Sequence, residues 1–212
     1  PLPERPIYRP AYQGNNPISD IWSIKAIDLV SKNIVRAYRN PNDLEARSNM
    51  ILASSMAGIG FGNAGVHLCH GMSYPVSGMV KNFIPHGLTS DHPIIPHGLS
   101  VILNAPAVFK FTGEACPERH LKVAKIMGAK INNIKDPKNE AGLILSNEII
   151  KLMKDLEVPN GLSAIGFNKN DIPNLIKGTL PQHRVTKLSP RSANAEDLNK
   201  LFNDSMTLWW KT

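Results

Sequence analysis

The stretch GIGFGNAGVHLCHGMSYP, residues 58–75, decides how this chain is read. Its glycines at 58, 60, 62 and 65 could be mistaken for the turn that cradles a dinucleotide. That turn has to follow a strand and open a helix, because the strand delivers the ligand to the helix N-terminus. Here the preceding apolar positions are Leu44, Ile51, Leu52 and Met56, which fit a helix. The glycines are therefore expected to let helices pack closely around a site, and no nucleotide fold is expected in this chain.

Working outward, the same periodicity recurs. Ile21, Ile24, Leu29 and Val30 predict an amphipathic helix over 19–39. Asn40 and Pro41 punctuate it, with Asn40 expected as the N-cap of the next helix and Pro41 at its first position. Gly71 and Pro75 are expected to end the helix that carries His70, and residues 75–96 read as a loop. Further helices are expected over 97–111, 117–128, 140–157 and 195–210, with a short one over 170–177 closed by Gly178. Trp209 and Trp210 are expected to dock the last helix onto the body. Residues 1–17, rich in proline, read as an extended lead-in. Runs of alternating β-branched residues are nearly absent, so the class is all-α, a bundle-like single domain over 1–212.

Composition narrows the function classes. A chain of 212 residues with 42% apolar residues is long enough to bury a core. The net charge of +7 is spread evenly, with 9 basic and 6 acidic groups in residues 1–112 and 15 and 11 in residues 113–212. No basic run interleaved with aromatics appears, which argues against a nucleic-acid partner and for a basic surface that attracts acidic metabolites. Residues 48–80 carry no Asp, Glu, Lys or Arg, but histidines, serines and glycines dilute their hydrophobicity below that of a bilayer helix. Two cysteines, Cys69 and Cys116, make no disulfide framework, and a reducing compartment such as cytosol or mitochondrial matrix fits. The chain starts at Pro1 without a methionine or a signal segment, which suggests a processed or partial sequence.

The chemistry concentrates in His67, Cys69, His70 and Tyr74, followed by His97 in IPHGLS (95–100). Imidazoles in a segment free of charged side chains need partners, and a divalent metal is one. Iron, zinc, nickel and copper all accept neutral imidazole, so ligand type does not fix the metal. His67 and His70, three residues apart, would share one helix face. Spacing alone favours a structural role for such a pair. The pentapeptide IPHGL occurs twice, at 84–88 and 95–99. After His86 the chain is polar and soon meets Pro93. After His97 come Val101, Ile102, Leu103, Val108 and Phe109. A ligand at the start of a packed helix is held in place, so His97 is preferred over His86, and His92 reads as a solvated loop residue.

The segments HLCHGMSYPVSG (67–78) and IPHGLSVILNAPAVFKF (95–111) resemble the histidine motifs of the group III, iron-containing alcohol dehydrogenases. RPAYQGNNPISDIW (9–22), NPNDLEARS (40–48) and IKGTLPQHRVTKLSP (176–190) place the resemblance in the hydroxyacid-oxoacid transhydrogenase branch of that family. The resemblance implies a helical C-terminal domain and a divalent metal, iron or zinc, held by one aspartate and three histidines. His70 and His97 match two of these ligands, and the other two would lie upstream of Pro1, beside an α/β domain that binds NAD(H). The implied cycle oxidises 4-hydroxybutyrate and reduces 2-oxoglutarate, both small molecules, in mitochondria. The resemblance leaves a homo-oligomer open. Many family members carry a histidine where this chain has Tyr74. Its hydroxyl would then lie near the hydride path and the nicotinamide, or else its ring simply packs beside Pro75. His67 reads as a hydrogen-bonded or core histidine rather than a ligand, and Cys69 as a buried inert thiol. Arg9, Lys81 and Arg184 could each pair with a substrate carboxylate, and spacing selects none of them. Two other readings stay open: a plain NAD-dependent alcohol dehydrogenase of the same fold, and an inactive helical interaction module.

Overall fold

In the computed structural model, which describes residues 12–210, Asn16 accepts a hydrogen bond from the Ser19 amide at 2.9 Å. With Pro17 in the first turn this cap starts α1 (Pro17–Arg39). The lead-in expected over 1–17 lies mostly outside the described residues, as does Arg9.

The second helix, α2 (Leu44–Ala64), starts later than expected. Asn40 instead closes α1, its amide bonding the Arg36 carbonyl, and Asp43 caps α2 by accepting from the Ala46 amide. Arg36 ties the turn together, donating to Asp43 at 3.0 and 3.1 Å and to Glu45 at 2.7 Å. A carboxylate at this N-terminus suits the helix dipole as well as the orphan amides, whereas an Asn cap would serve the amides alone. α1 and α2 form an antiparallel hairpin. Between them Asn49 donates to Asn33 at 3.2 Å, and Asn33 donates to the Leu29 carbonyl. The close packing expected of the glycine-rich stretch occurs at Gly60, where a Cβ would meet Ser23 Oγ at 2.3 Å, and at Gly65, where it would meet Leu188 Cδ1 at 2.4 Å. Gly58 and Gly62 face open space.

The body of the fold is built from α3 (Leu68–Gly78), α4 (His97–Ile102), α5 (Ala105–Thr112), α6 (Pro117–Met127) and α7 (Pro137–Asp155). It is completed by α8 (Ile172–Thr179), α9 (His183–Thr186) and α10 (Ala195–Met206), and no strand occurs among the described residues. Leu68, Met72 and Val76 on α3 are fully buried against Leu103, Val108, Leu175, Leu198 and Phe202 in one apolar cluster. Several ends are written locally. Gly128 closes α6 at φ 111°, and Asn194 and Asp197 make a reciprocal capping box on α10.

Four expectations need correction. Pro75 does not end α3 but sits inside it, buried, and the helix runs on to Gly78. A proline inside a helix costs the bond its amide would have donated, and here tertiary burial of Pro75 against α8 offsets that cost. Gly178 lies within α8 rather than capping it, because a Cβ there would meet Pro75 Cβ at 2.7 Å. The helix expected over 97–111 is two helices, broken by a turn at Leu103 and Asn104. Finally, the last helix stops at Met206. Trp209 is held by hydrogen bonds between its backbone and Asn160, whereas Trp210 is 83% exposed.

Candidate metal centre

α3 and α4 each begin on or next to a histidine, and they pack against each other. His70 lies in the first turn of α3, and His97 is the first residue of α4. Their ring centroids are 5.2 Å apart, although 26 residues separate them in sequence. Each is anchored in the same way. Ser73 donates to the His70 carbonyl at 2.8 Å, and Ser100 donates to the His97 carbonyl at 2.7 Å. Both serines are fully buried. The repeated pattern His-Gly-apolar-Ser, at 70–73 and 97–100, is the sequence signal for this anchoring that the motif reading above passed over.

Burial, and then the neighbouring His97, lower the pKa of His70 below the usual histidine value. A neutral imidazole is the form that ligates a metal. Two imidazoles sharing one tetrahedral cation through bonds of about 2.1 Å would hold their centroids roughly 5 Å apart. The donor set therefore fits half of a divalent site. Among the described residues no third His, Cys, Asp or Glu gathers with the pair.

Tyr74, one turn after His70, lays its ring alongside that of His97, with centroids 6.5 Å apart and planes 16° from parallel. Its hydroxyl accepts a hydrogen bond from Arg184 Nη2 at 3.2 Å. The helix that carries Arg184, α9, presses on α3 at Gly71, where a Cβ would come within 2.7 Å of Thr186 Cγ2. This link between α9 and Tyr74 had no signal in the sequence, since 110 positions separate the two partners.

His67 is not on the face of α3 with His70, as its spacing suggested. It precedes the helix, with φ −127° and ψ −140°, and its ring meets Phe109 edge-on at 5.9 Å. Its Nδ1 is buried with no hydrogen-bond partner. Burial first, then His70 and His120, push its pKa down to about 4. As pH falls below the ordinary histidine value near 6.5, the unfolded chain takes up this proton before the folded one does. Stability is therefore expected to be full above pH 6.5 and to decline towards pH 4, by about 3 kcal/mol from this group. Urea unfolding of the metal-free protein at pH 7.5 and 4.5 measures it, and the difference should shrink in His67→Gln. A pH-independent midpoint would show that His67 titrates normally.

The other candidates separate cleanly. Cys69 is buried, and burial pushes its thiol up to about 12, so it is inert at neutral pH. His86 lies exposed in a turn whose Gly87 has φ 79°. His92 pairs with Asp91 on the surface at 2.6 Å. Lys81 is taken by Asp171, also at 2.6 Å. Among the described residues no helix is long and apolar enough to cross a membrane.

The profile of the Fe-containing alcohol dehydrogenase family, C-terminal part, matches residues 11–206. The chain belongs to this family. It is 59% identical over 209 residues to a protein of Bos taurus named hydroxyacid-oxoacid transhydrogenase, mitochondrial, covering 99% of this chain and 44% of that protein. A Dictyostelium discoideum protein named as a probable mitochondrial transhydrogenase of the same kind is 59% identical over 210 residues, 99% of this chain and 38% of its own length. The chain thus spans less than half the length of these relatives. Among solved structures, a 1,3-propanediol oxidoreductase superposes with a TM-score of 0.78 at 25% identity, over 90% of this chain and 46% of that one. An alcohol dehydrogenase from Oenococcus oeni gives 0.78 at 27% identity, over 90% and 45%. The helical architecture is that of the iron-containing alcohol dehydrogenases.

Proposed function

We propose that this chain is the metal-binding half of a mitochondrial hydroxyacid-oxoacid transhydrogenase, in which His70 and His97 supply two ligands to one divalent cation, iron or zinc. The reading rests on the approach of two separately anchored imidazoles to 5.2 Å. The relatives' names supply the reaction, and the family profile supplies the metal. An aspartate and a third histidine, with the domain that binds NAD(H), would come from the part of the relatives that this chain does not span. In this reading Tyr74, whose ring lies along that of His97, is the residue nearest the reacting atoms.

A cation held by His70 and His97 would supply Lewis-acid polarisation of the substrate oxygen, which would ease proton loss from an alcohol and hydride addition to a carbonyl. In the proposed cycle 4-hydroxybutyrate gives up a hydride and a proton and becomes succinate semialdehyde. 2-Oxoglutarate takes up a hydride and a proton and becomes 2-hydroxyglutarate, with nicotinamide as the carrier. The chain's own groups orient and handle the proton. Ser73 and Ser100 fix the two histidine backbones, and low basicity keeps His70 neutral. The Tyr74 hydroxyl accepts from Arg184 and so keeps its own proton available to donate towards the substrate oxygen.

Two assays test this. The complete enzyme should convert 4-hydroxybutyrate with 2-oxoglutarate as acceptor and no added NAD. A requirement for free NAD in proportion to product would make it an ordinary alcohol dehydrogenase, the reading its solved neighbours favour. The 212-residue chain by itself, with two ligands of four, should bind iron or zinc weakly and turn over neither substrate. Turnover by the chain alone would defeat the division of labour proposed here.

A further inference from the structure

Of the two sequence candidates among the described residues, Lys81 and Arg184, the fold brings Arg184 to the histidine pair. Its neighbour in sequence, Val185, is 2% exposed, and α9 is seated on Gly71, the residue next to His70. The backbone under the guanidinium is thus fixed to the same helix turn that carries a proposed metal ligand. Arg36, Arg39, Arg119 and Arg191 each face a carboxylate at 3.9 Å or less. Arg184 faces none among the described residues. Its hydrogen-bond partner is the phenol of Tyr74, whose ring lies along His97. A continuous chain of contacts therefore runs from His70 through His97 and Tyr74 to an exposed guanidinium.

We propose that Arg184 is the specificity-determining residue that reads the substrate carboxylate. This rests on the transhydrogenase reading above and extends it to the part of the substrate that does not react. A guanidinium has five N–H donors in a planar fork, and the bond to Tyr74 uses one of them. The rest remain for a carboxylate, which such a fork binds with two parallel hydrogen bonds. 4-Hydroxybutyrate and 2-oxoglutarate carry a carboxylate at the same number of carbons from the reacting carbon. One cation fixed beside one metal position would hold either acid with its reacting carbon in the same place. A single site could then run both half-reactions. The hydrogen bond to Tyr74 adds orientation: it ties the fork to the phenol whose ring lies along His97 instead of leaving it to sample solvent.

The test uses the complete enzyme with its metal. In Arg184→Gln, the ratio of kcat/KM for 4-hydroxybutyrate to that for 1-butanol should fall at least about tenfold, and the Kd for glutarate, read by calorimetry, should rise by a similar factor. Arg184→Lys keeps the charge but not the fork, and should fall between the parent and the glutamine variant. If Arg184→Gln does not fold, the lysine variant is read by the same ratio and the same Kd. A ratio and a glutarate Kd both within about twofold of the parent would overturn the assignment, as would parallel losses on both alcohols together with a lowered Tm. The two layers fail separately. A parent enzyme that needs free NAD removes the transhydrogenase reading, while the glutarate arm still decides the role of Arg184. A parent that transhydrogenates, with a variant that keeps the ratio, removes Arg184 alone.

Discussion

Replacing His97 by alanine is expected to strip the complete enzyme of its metal and to lower kcat/KM by a thousandfold or more, on the order of losing one of few ligands. His70→Ala should do the same, because the two ring centroids lie 5.2 Å apart and neither ring has a substitute nearby among the described residues. The informative control is His86→Ala. His86 lies in an identical pentapeptide, yet it is exposed in a turn, and its loss should leave metal content and rate within about twofold. Elemental analysis of the purified variants, with circular dichroism to confirm folding, gives the answer. Full metal content in folded His97→Ala would remove the proposed centre.

A large loss of stability is expected on substitution at Gly142. On α7 its Cα lies against the last turn of α5, and a Cβ there would meet the carbonyl oxygens of Lys110 and Phe109 at 2.7 and 2.8 Å. Those atoms belong to helix backbone and cannot rotate aside. Gly113, at the end of α5, tightens the same contact, since its own Cβ would meet Gly142 Cα at 2.4 Å. Gly142→Ala should therefore destabilise by about 2 kcal/mol or more, even though alanine is the better helix former by roughly 1 kcal/mol. Gly142→Val should cost more still. Gly58→Ala is the matched comparison, since that position is also mid-helix but meets nothing within 4 Å. It should stabilise by about 0.5–1 kcal/mol. Urea unfolding of both variants would show opposite signs. A neutral Gly142→Ala would mean that α5 and α7 can separate without cost.

Much of the helical plan was legible because its determinants are local. Residues 58–64 lie in α2 and not in a nucleotide-binding turn, although Leu44, Ile51 and Leu52, whose spacing suggests the helix, stay exposed on it. Gly128 ends α6 by backbone conformation alone. The misplaced ends have a common cause. Pro75 and Gly178 are residues with local penalties, and each is tolerated inside a helix because it is the contact point with the other. Asn40 and Asp43 were both competent caps, and Arg36, which sits on the preceding helix, favours the charged one.

By itself the sequence determined an all-α chain, the family to which it belongs, and which copy of Ile-Pro-His-Gly-Leu opens a helix. Periodicity, capping and motif are properties of neighbours along the chain, so they survive without a fold. Tertiary structure alone decided that His70 and His97 face each other, that His67 turns away onto Phe109, and that Arg184 meets Tyr74. Those juxtapositions depend on how α3, α4 and α9 pack. Packing is set by the summed burial of the whole core and the close contacts at its glycines, and no short stretch of residues encodes it.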